Sequence, residues 1–156
     1  MIGRGLLLAL ALVCGGCTAG GVSPAAGAGA SVTSVTTIDV SIAAFALEST
    51  PLGAARGFSP EVTNVSVGSG VRFLNVDNTE HTATSIPGAT AFPAASPFGV
   101  SALQPTANAG ISGGWGAGAL EPGQASQVFV VDQPGTYLYG CFFHYSGGMR
   151  GVIVAK

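Results

Sequence analysis

From Thr37 to the end of the chain, apolar and polar residues alternate in short runs bounded by Gly, Pro, Ser, Asn and Asp. No segment of a dozen residues there keeps a 3.6-residue apolar period free of Gly and Pro, so the pattern predicts strands and no substantial helix. The runs cover residues 37–46, 62–67, 71–76, 81–86, 126–131, 136–141 and 151–155. Gly68, Ser69 and Gly70 separate the second run from the third. A short connection rich in residues that tolerate positive φ predicts a hairpin there. Further turns are marked at Glu121-Pro122-Gly123 and Pro134-Gly135. Seven or so short strands with this punctuation predict an all-β sandwich or barrel.

The alternation lapses in two places. Residues 87–120 are rich in Ala, Gly, Ser and Pro, with Phe92, Phe98 and Trp115 scattered among them. A loop that long is uncommon in a compact domain, and two states fit it: a cover over one end of the sandwich, or a partly mobile insertion. Residues 18–36 carry no aromatic group, no charge and no apolar period, which is the composition of a flexible tether.

The amino-terminal stretch has a different character. A positive charge at Arg4, an apolar run over residues 6–13 and small residues before Cys17 form the pattern of an export signal. The run is far short of the roughly 20 residues a spanning helix needs. The V-C-G-G-C ending resembles a bacterial lipoprotein signal, which implies that Cys17 becomes the lipid-bearing first residue of the mature protein. Cys14 stands where that family usually carries Leu, and ordinary cleavage near Ala19 or beyond is the alternative. The organisation expected is therefore a signal peptide over 1–16, a tether over 17–36 and a single folded domain over 37–156. The expected location is periplasmic or at the cell surface, anchored to a membrane by lipid.

Charge and cysteine content narrow the function. The formal charge is −2, and without Arg4 four basic residues face seven acidic ones, which is no footprint for nucleic acid. With Cys14 removed and Cys17 lipidated, Cys141 is the one thiol of the folded part, so a disulfide framework is excluded. A lone thiol in an oxidising setting asks for a protecting role such as metal ligation.

The carboxyl-terminal segment supplies that role. It reads G-T-Y-L-Y-G-C-F-F-H-Y-S-G-G-M-R-G-V-I-V-A-K and places Cys141, His144 and Met149 on one short connection between two predicted strands. His81, at the start of another strand, offers a second imidazole. Two imidazoles, a thiolate and a long axial thioether are the ligand set of blue-copper electron-transfer centres. Thiolate and thioether favour Cu(I), imidazole serves both oxidation states, and a constrained trigonal site lets the ion cycle with little movement. Taken singly, each residue has an ordinary reading: an exposed or satisfied His, a buried Cys, a Met filling the core. Their conjunction, in a domain holding only two His, one Cys and one Met, points to one metal site.

The spacing Cys-x-x-His-x-x-x-x-Met followed by G-V-I-V resembles the plastocyanin-like branch of the cupredoxins, the type 1 blue copper proteins. The upstream F-S-P-E-V-T-N-V-S-V-G-S-G-V-R-F-L-N-V-D, the L-E-P-G turn and P-G-T-Y-L-Y-G-C extend the resemblance over Ile38 to Lys156, apart from the middle insertion. It implies an eight-stranded Greek-key β-sandwich with one copper ion near one end, and His144 as the edge through which electrons leave. Phe142 and Phe143 depart from the small residue and Pro that the family often has between Cys and His. Thr82 stands where plastocyanins carry an Asn that steadies the thiolate.

The function expected is one-electron transfer between redox protein partners outside the cytoplasm, by a monomer that performs no bond chemistry. Storage or delivery of copper by the same pocket is the alternative. An oxidase or nitrite reductase fragment would need histidines for a second copper centre, and Gly140 occupies the position before Cys141 where the multicopper pattern needs His. A metal-free binding domain is a further class, against which the intact quartet argues. Tyr137 and Tyr139 read as sandwich core rather than an electron relay, Phe142, Phe143 and Tyr145 as either core or an apolar docking surface, and Glu80 as a solvated turn residue.

Overall fold

The structure, a computed structural model, describes residues 31–107 and 110–156. The signal peptide, Cys17 and most of the tether lie outside the described residues. The described chain forms eleven short strands: β1 (Val35–Val40), β2 (Glu48–Thr50), β3 (Gly53–Ala55), β4 (Phe58–Ser59), β5 (Val62–Val65), β6 (Gly70–Asn75), β7 (His81–Ser85), β8 (Gly116–Leu120), β9 (Phe129–Val130), β10 (Gly135–Gly140) and β11 (Arg150–Ala155).

Two sheets face each other, one ordered β4-β1-β6-β9 and the other β5-β11-β10-β7-β8, with β2 and β3 forming a separate ribbon. The all-β sandwich expected from the alternation is present. Its inner faces follow the period of two. On β6, Val71, Phe73 and Asn75 are buried while Arg72 is exposed. Phe73 sits at the middle of the core, stacked on Trp115 at 5.1 Å and edge-on to Tyr139 at 5.2 Å, Phe58 at 6.1 Å and Phe129 at 6.2 Å. Burial of each such ring contributes about 1.5–3 kcal/mol.

Several expectations change. The first strand begins at Val35 rather than Thr37, because Val35 to Val40 pairs in parallel along the whole of β6. It stops at Val40, where the Ser41 hydroxyl accepts the Ala44 N–H at 3.0 Å and turns the chain. The predicted hairpin around Gly68 is absent: β5 joins β11 in one sheet and β6 joins β1 in the other. A turn does form, with Ser69 N–H donating to Ser66 O at 3.1 Å, but it carries the chain across the sandwich.

The segment after Pro87 is also more ordered than its composition predicts. Its last five residues are β8, paired with β7, and Trp115 enters the main core. β8 reads G-A-G-A-L, lacking the β-branched residues that signal a strand. Close packing selects these small residues: a Cβ on Gly118, whose φ is +73°, would lie 2.7 Å from the Pro105 nitrogen. Farther back, Phe92 and Phe98 pack with Ile86, Leu138, Tyr145 and Val152 in a second apolar cluster. Residues 89–98 thus lie against the outer side of the five-stranded sheet, a cover over a face where one over an end of the sandwich was expected. Among the described residues, no helix is long and apolar enough to cross a membrane.

Candidate metal centre

Two strands and one loop build the site. His81 is the first residue of β7, and Cys141 follows the last residue of its neighbour β10. The loop from Cys141 to Met149 is closed by its own backbone: Cys141 N–H donates to Met149 O at 3.1 Å, and Met149 N–H to His144 O at 3.2 Å. A single 3₁₀ turn over Tyr145–Gly147 fills the interval and ends at Gly148, whose φ of 89° is left-handed.

This folding brings three donor atoms together. The Nδ1 atoms of His81 and His144 are 3.1 Å apart, and Cys141 Sγ lies 3.8 Å from the first and 3.7 Å from the second. A triangle with those sides has a centre about 2.1 Å from every corner, within the range of metal–nitrogen bonds near 2.0–2.1 Å and slightly inside metal–sulfur bonds near 2.3 Å. The three residues can therefore hold one metal ion with little rearrangement. His81 and Cys141 are fully buried, whereas His144 is half-buried and marks the open side.

Met149 comes to the same loop with its side chain fully buried. Its thioether packs over Gly57, where a Cβ would lie 2.7 Å from Met149 Cγ and 3.4 Å from Sδ.

Hydrogen bonds orient the donors. The outward nitrogen of His81, Nε2, lies 3.1 Å from Asp77 Oδ2, so it donates there and leaves Nδ1 with a free lone pair. Asp77 is itself fixed: its carboxylate accepts the Ser41 hydroxyl at 3.0 Å and the Asn78 N–H at 2.8 Å, and its own N–H donates to Asn75 Oδ1 at 2.9 Å. Burial works against its charge, but the bonds from Asn78, His81, Ser41 and Ala43 outweigh it and hold the carboxyl well below the usual carboxylate range. Sequence reasoning does not single out Asp77. Its only signal is an acidic residue four positions before His81, in a turn where Glu80, adjacent to the ligand, is the more conspicuous acid.

The sulfur is held by the main chain. Thr82 N–H points at Cys141 Sγ at 3.4 Å, and the Thr82 hydroxyl accepts the Phe142 N–H at 2.8 Å. Thr82 therefore ties the two donor-bearing segments together, with its backbone serving the sulfur and its side chain serving the loop. Burial pushes the Cys141 thiol up, opposed by N–H groups of Thr82, His144 and Phe143. Burial also pushes the His144 imidazole down, as does His81, with Asp77 acting the other way.

The remaining aromatic groups divide between core and surface. Tyr139 is buried at the centre of the main core, and its hydroxyl has no partner among the described residues. A phenol that gives up an electron needs somewhere to send its proton, so the core reading of Tyr139 stands. Tyr145 is buried, Phe142 half-buried and Phe143 39% exposed beside His144. Glu80 is half-buried rather than fully solvated.

No protein-family model matches the chain, and no curated protein matches it. Solved structures do. A purple cupredoxin from Nitrosopumilus maritimus is 19% identical over 77% of this chain and 98% of its own, with a TM-score of 0.47. A mutant plastocyanin of fern is 23% identical over 78% of this chain and 100% of its own, with a TM-score of 0.47. A mutant amicyanin in its Cu(I) form is 17% identical over 78% of this chain and 82% of its own, with a TM-score of 0.48.

Proposed function

We propose that this protein is a cupredoxin-like electron carrier that holds a single copper ion through His81, Cys141, His144 and Met149. The observation that carries the reading is the triangle of two imidazole nitrogens and one sulfur, 3.1–3.8 Å on a side and open only at His144. Copper would supply the one-electron couple. The chain's own residues would do the rest: Cys141 would offer a soft thiolate, the histidines nitrogen donors suited to both oxidation states, and Met149 a thioether. Asp77 keeps His81 in the tautomer that presents Nδ1. His144, the half-buried donor, is the edge that a redox partner would meet.

The chain would act without bond chemistry, since both of its histidines belong to this one site and none is left for a second centre. It would work outside the cytoplasm as a monomer held to a membrane by lipid on Cys17, exchanging electrons with protein partners.

The test is an absorption and paramagnetic-resonance spectrum of the purified protein titrated with Cu(II). An intense visible thiolate-to-metal band at one equivalent, bleached reversibly by a mild reductant and lost in Cys141→Ser, is expected. A colourless, weakly bound copper adduct overturns the reading. Fast release of copper to a chelator combined with sluggish electron exchange would move the assignment to storage or delivery.

A further inference from the structure

The loop between Cys141 and Met149 is anchored through one of its own side chains, which donates nothing to a metal. Tyr145 is fully buried, and its ring reaches both ends of the loop and the long insertion at once. On one side it lies against Gly140, the residue before Cys141, so closely that a Cβ there would sit 2.7 Å from Tyr145 Cδ2. Over one face stands the guanidinium of Arg150, the residue after Met149, at 4.2 Å from the ring centre. The ring meets Phe98 edge-on at 5.5 Å, and the hydroxyl donates to Pro93 O at 3.0 Å. Arg150 also lies 5.8 Å from the ring centre of Phe92. Pro93, Phe98 and Phe92 all belong to the insertion.

We propose that the segment over residues 87–99 is a brace for the metal-binding loop and that Tyr145 is the positioning residue through which it fixes His144. The inference rests on the copper-site reading above for its purpose, but not for its mechanics. Tyr145 follows His144 directly, so a ring held by Gly140, Arg150, Phe98 and Pro93 leaves the His144 backbone little freedom. The carbonyls of these two residues then accept the N–H groups of Gly147, Gly148 and Met149 at 3.0–3.2 Å, passing the constraint around the loop. A site whose donors are already placed moves little when its occupant gains or loses charge, which is what rapid electron exchange requires. An apolar brace with a single hydroxyl bond is suited to this, because packed side chains resist displacement more than solvated loops do.

Amide hydrogen exchange on the metal-free protein tests the mechanics. In Tyr145→Phe, which keeps the ring and loses the Pro93 bond, exchange at Gly148 and Met149 should rise roughly fivefold. In Tyr145→Ala, and in Phe98→Ala on the other side of the contact, the rise should be larger, while Val71 and Phe73 in β6 exchange as before. In the copper-loaded variants the visible band should shift or weaken although one equivalent still binds. Equal acceleration throughout the molecule, or none at Gly148 and Met149, overturns the brace. A wild-type protein that takes up no coloured copper overturns the copper reading instead, and the exchange rates of the metal-free variants still decide for or against the brace.

Discussion

Asp77 Oδ2 lies 3.1 Å from His81 Nε2, and the two side chains are 6% and 0% exposed, respectively. It is a hydrogen bond from imidazole to carboxylate, and it sits directly behind a donor atom. A carboxylate in that position fixes the imidazole's orientation and tautomer and makes the opposite nitrogen more basic. Substitution of such partners costs about 10- to 100-fold in metal affinity. For Asp77→Asn we expect a loss of that size for Cu(II), measured by competition with a chelator. We also expect a smaller loss for Cu(I), because the missing negative charge matters less to the less charged ion. A tenfold difference between the two corresponds to a rise in reduction potential of about 59 mV, readable by voltammetry.

Gly57 has a φ of +80° and lies beneath Met149. Gly57→Ala therefore faces two penalties, a left-handed backbone costing about 1–2 kcal/mol and a collision with the methionine side chain. Chemical denaturation should show a loss of at least that size. Because the thioether must move, the resonance spectrum of the copper form should change as well, an effect that a purely backbone penalty would not produce.

Phe73→Ala removes the ring on which Trp115, Tyr139, Phe58 and Phe129 converge. A cavity at that point should destabilise the fold by about 3–5 kcal/mol, with little collapse because four rigid rings surround it. Thermal unfolding followed by near-ultraviolet circular dichroism measures both the stability and the loss of aromatic packing.

Asp132 is expected to contribute to the acid response. Burial raises its carboxyl, but the bonds from the Ser112 hydroxyl and N–H, and from the backbone at Asp132 and Ile111, outweigh this and lower it from 3.8. A depressed carboxyl stabilises the fold above its unfolded value and loses that contribution as the pH falls through its folded value. Asp132→Asn should thus lower the melting temperature at neutral pH and flatten its decline below about pH 4. An unchanged slope between about pH 5 and pH 2 would show that the loop bonds to Ser112 do not couple to folding.

The convergence of His81, Cys141 and His144 is legible in the sequence because their chemical types are scarce: with two histidines in the whole chain, few other sets are available. Strands such as β6 are legible because one face is wet and the other is packed, which writes a period of two. β8 is not, since Gly118 is set by its left-handed φ of +73° and by the close approach of Pro105, and neither has a periodic signature. The misplaced hairpin has a related cause. Turn residues at Gly68 announce that the chain reverses, but which sheet receives the next strand depends on β1 and β11, which lie far from that turn along the chain. Asp77 looks like any acid in a turn until the fold places Ser41 and His81 on either side of it. Tyr145 carries little sequence signal for its packing, because two of its partners, Pro93 and Phe98, come from the insertion, whose composition says little about where it lies.

Leu138 and Val152 sit on the side of the five-stranded sheet away from the main core, where the insertion covers them. A designer trimming residues 88–98 to obtain a minimal domain would bare a continuous greasy stripe along β10 and β11. Such a shortened chain would trade solubility for compactness and clump at working concentrations, even with every donor to the metal left in the sequence.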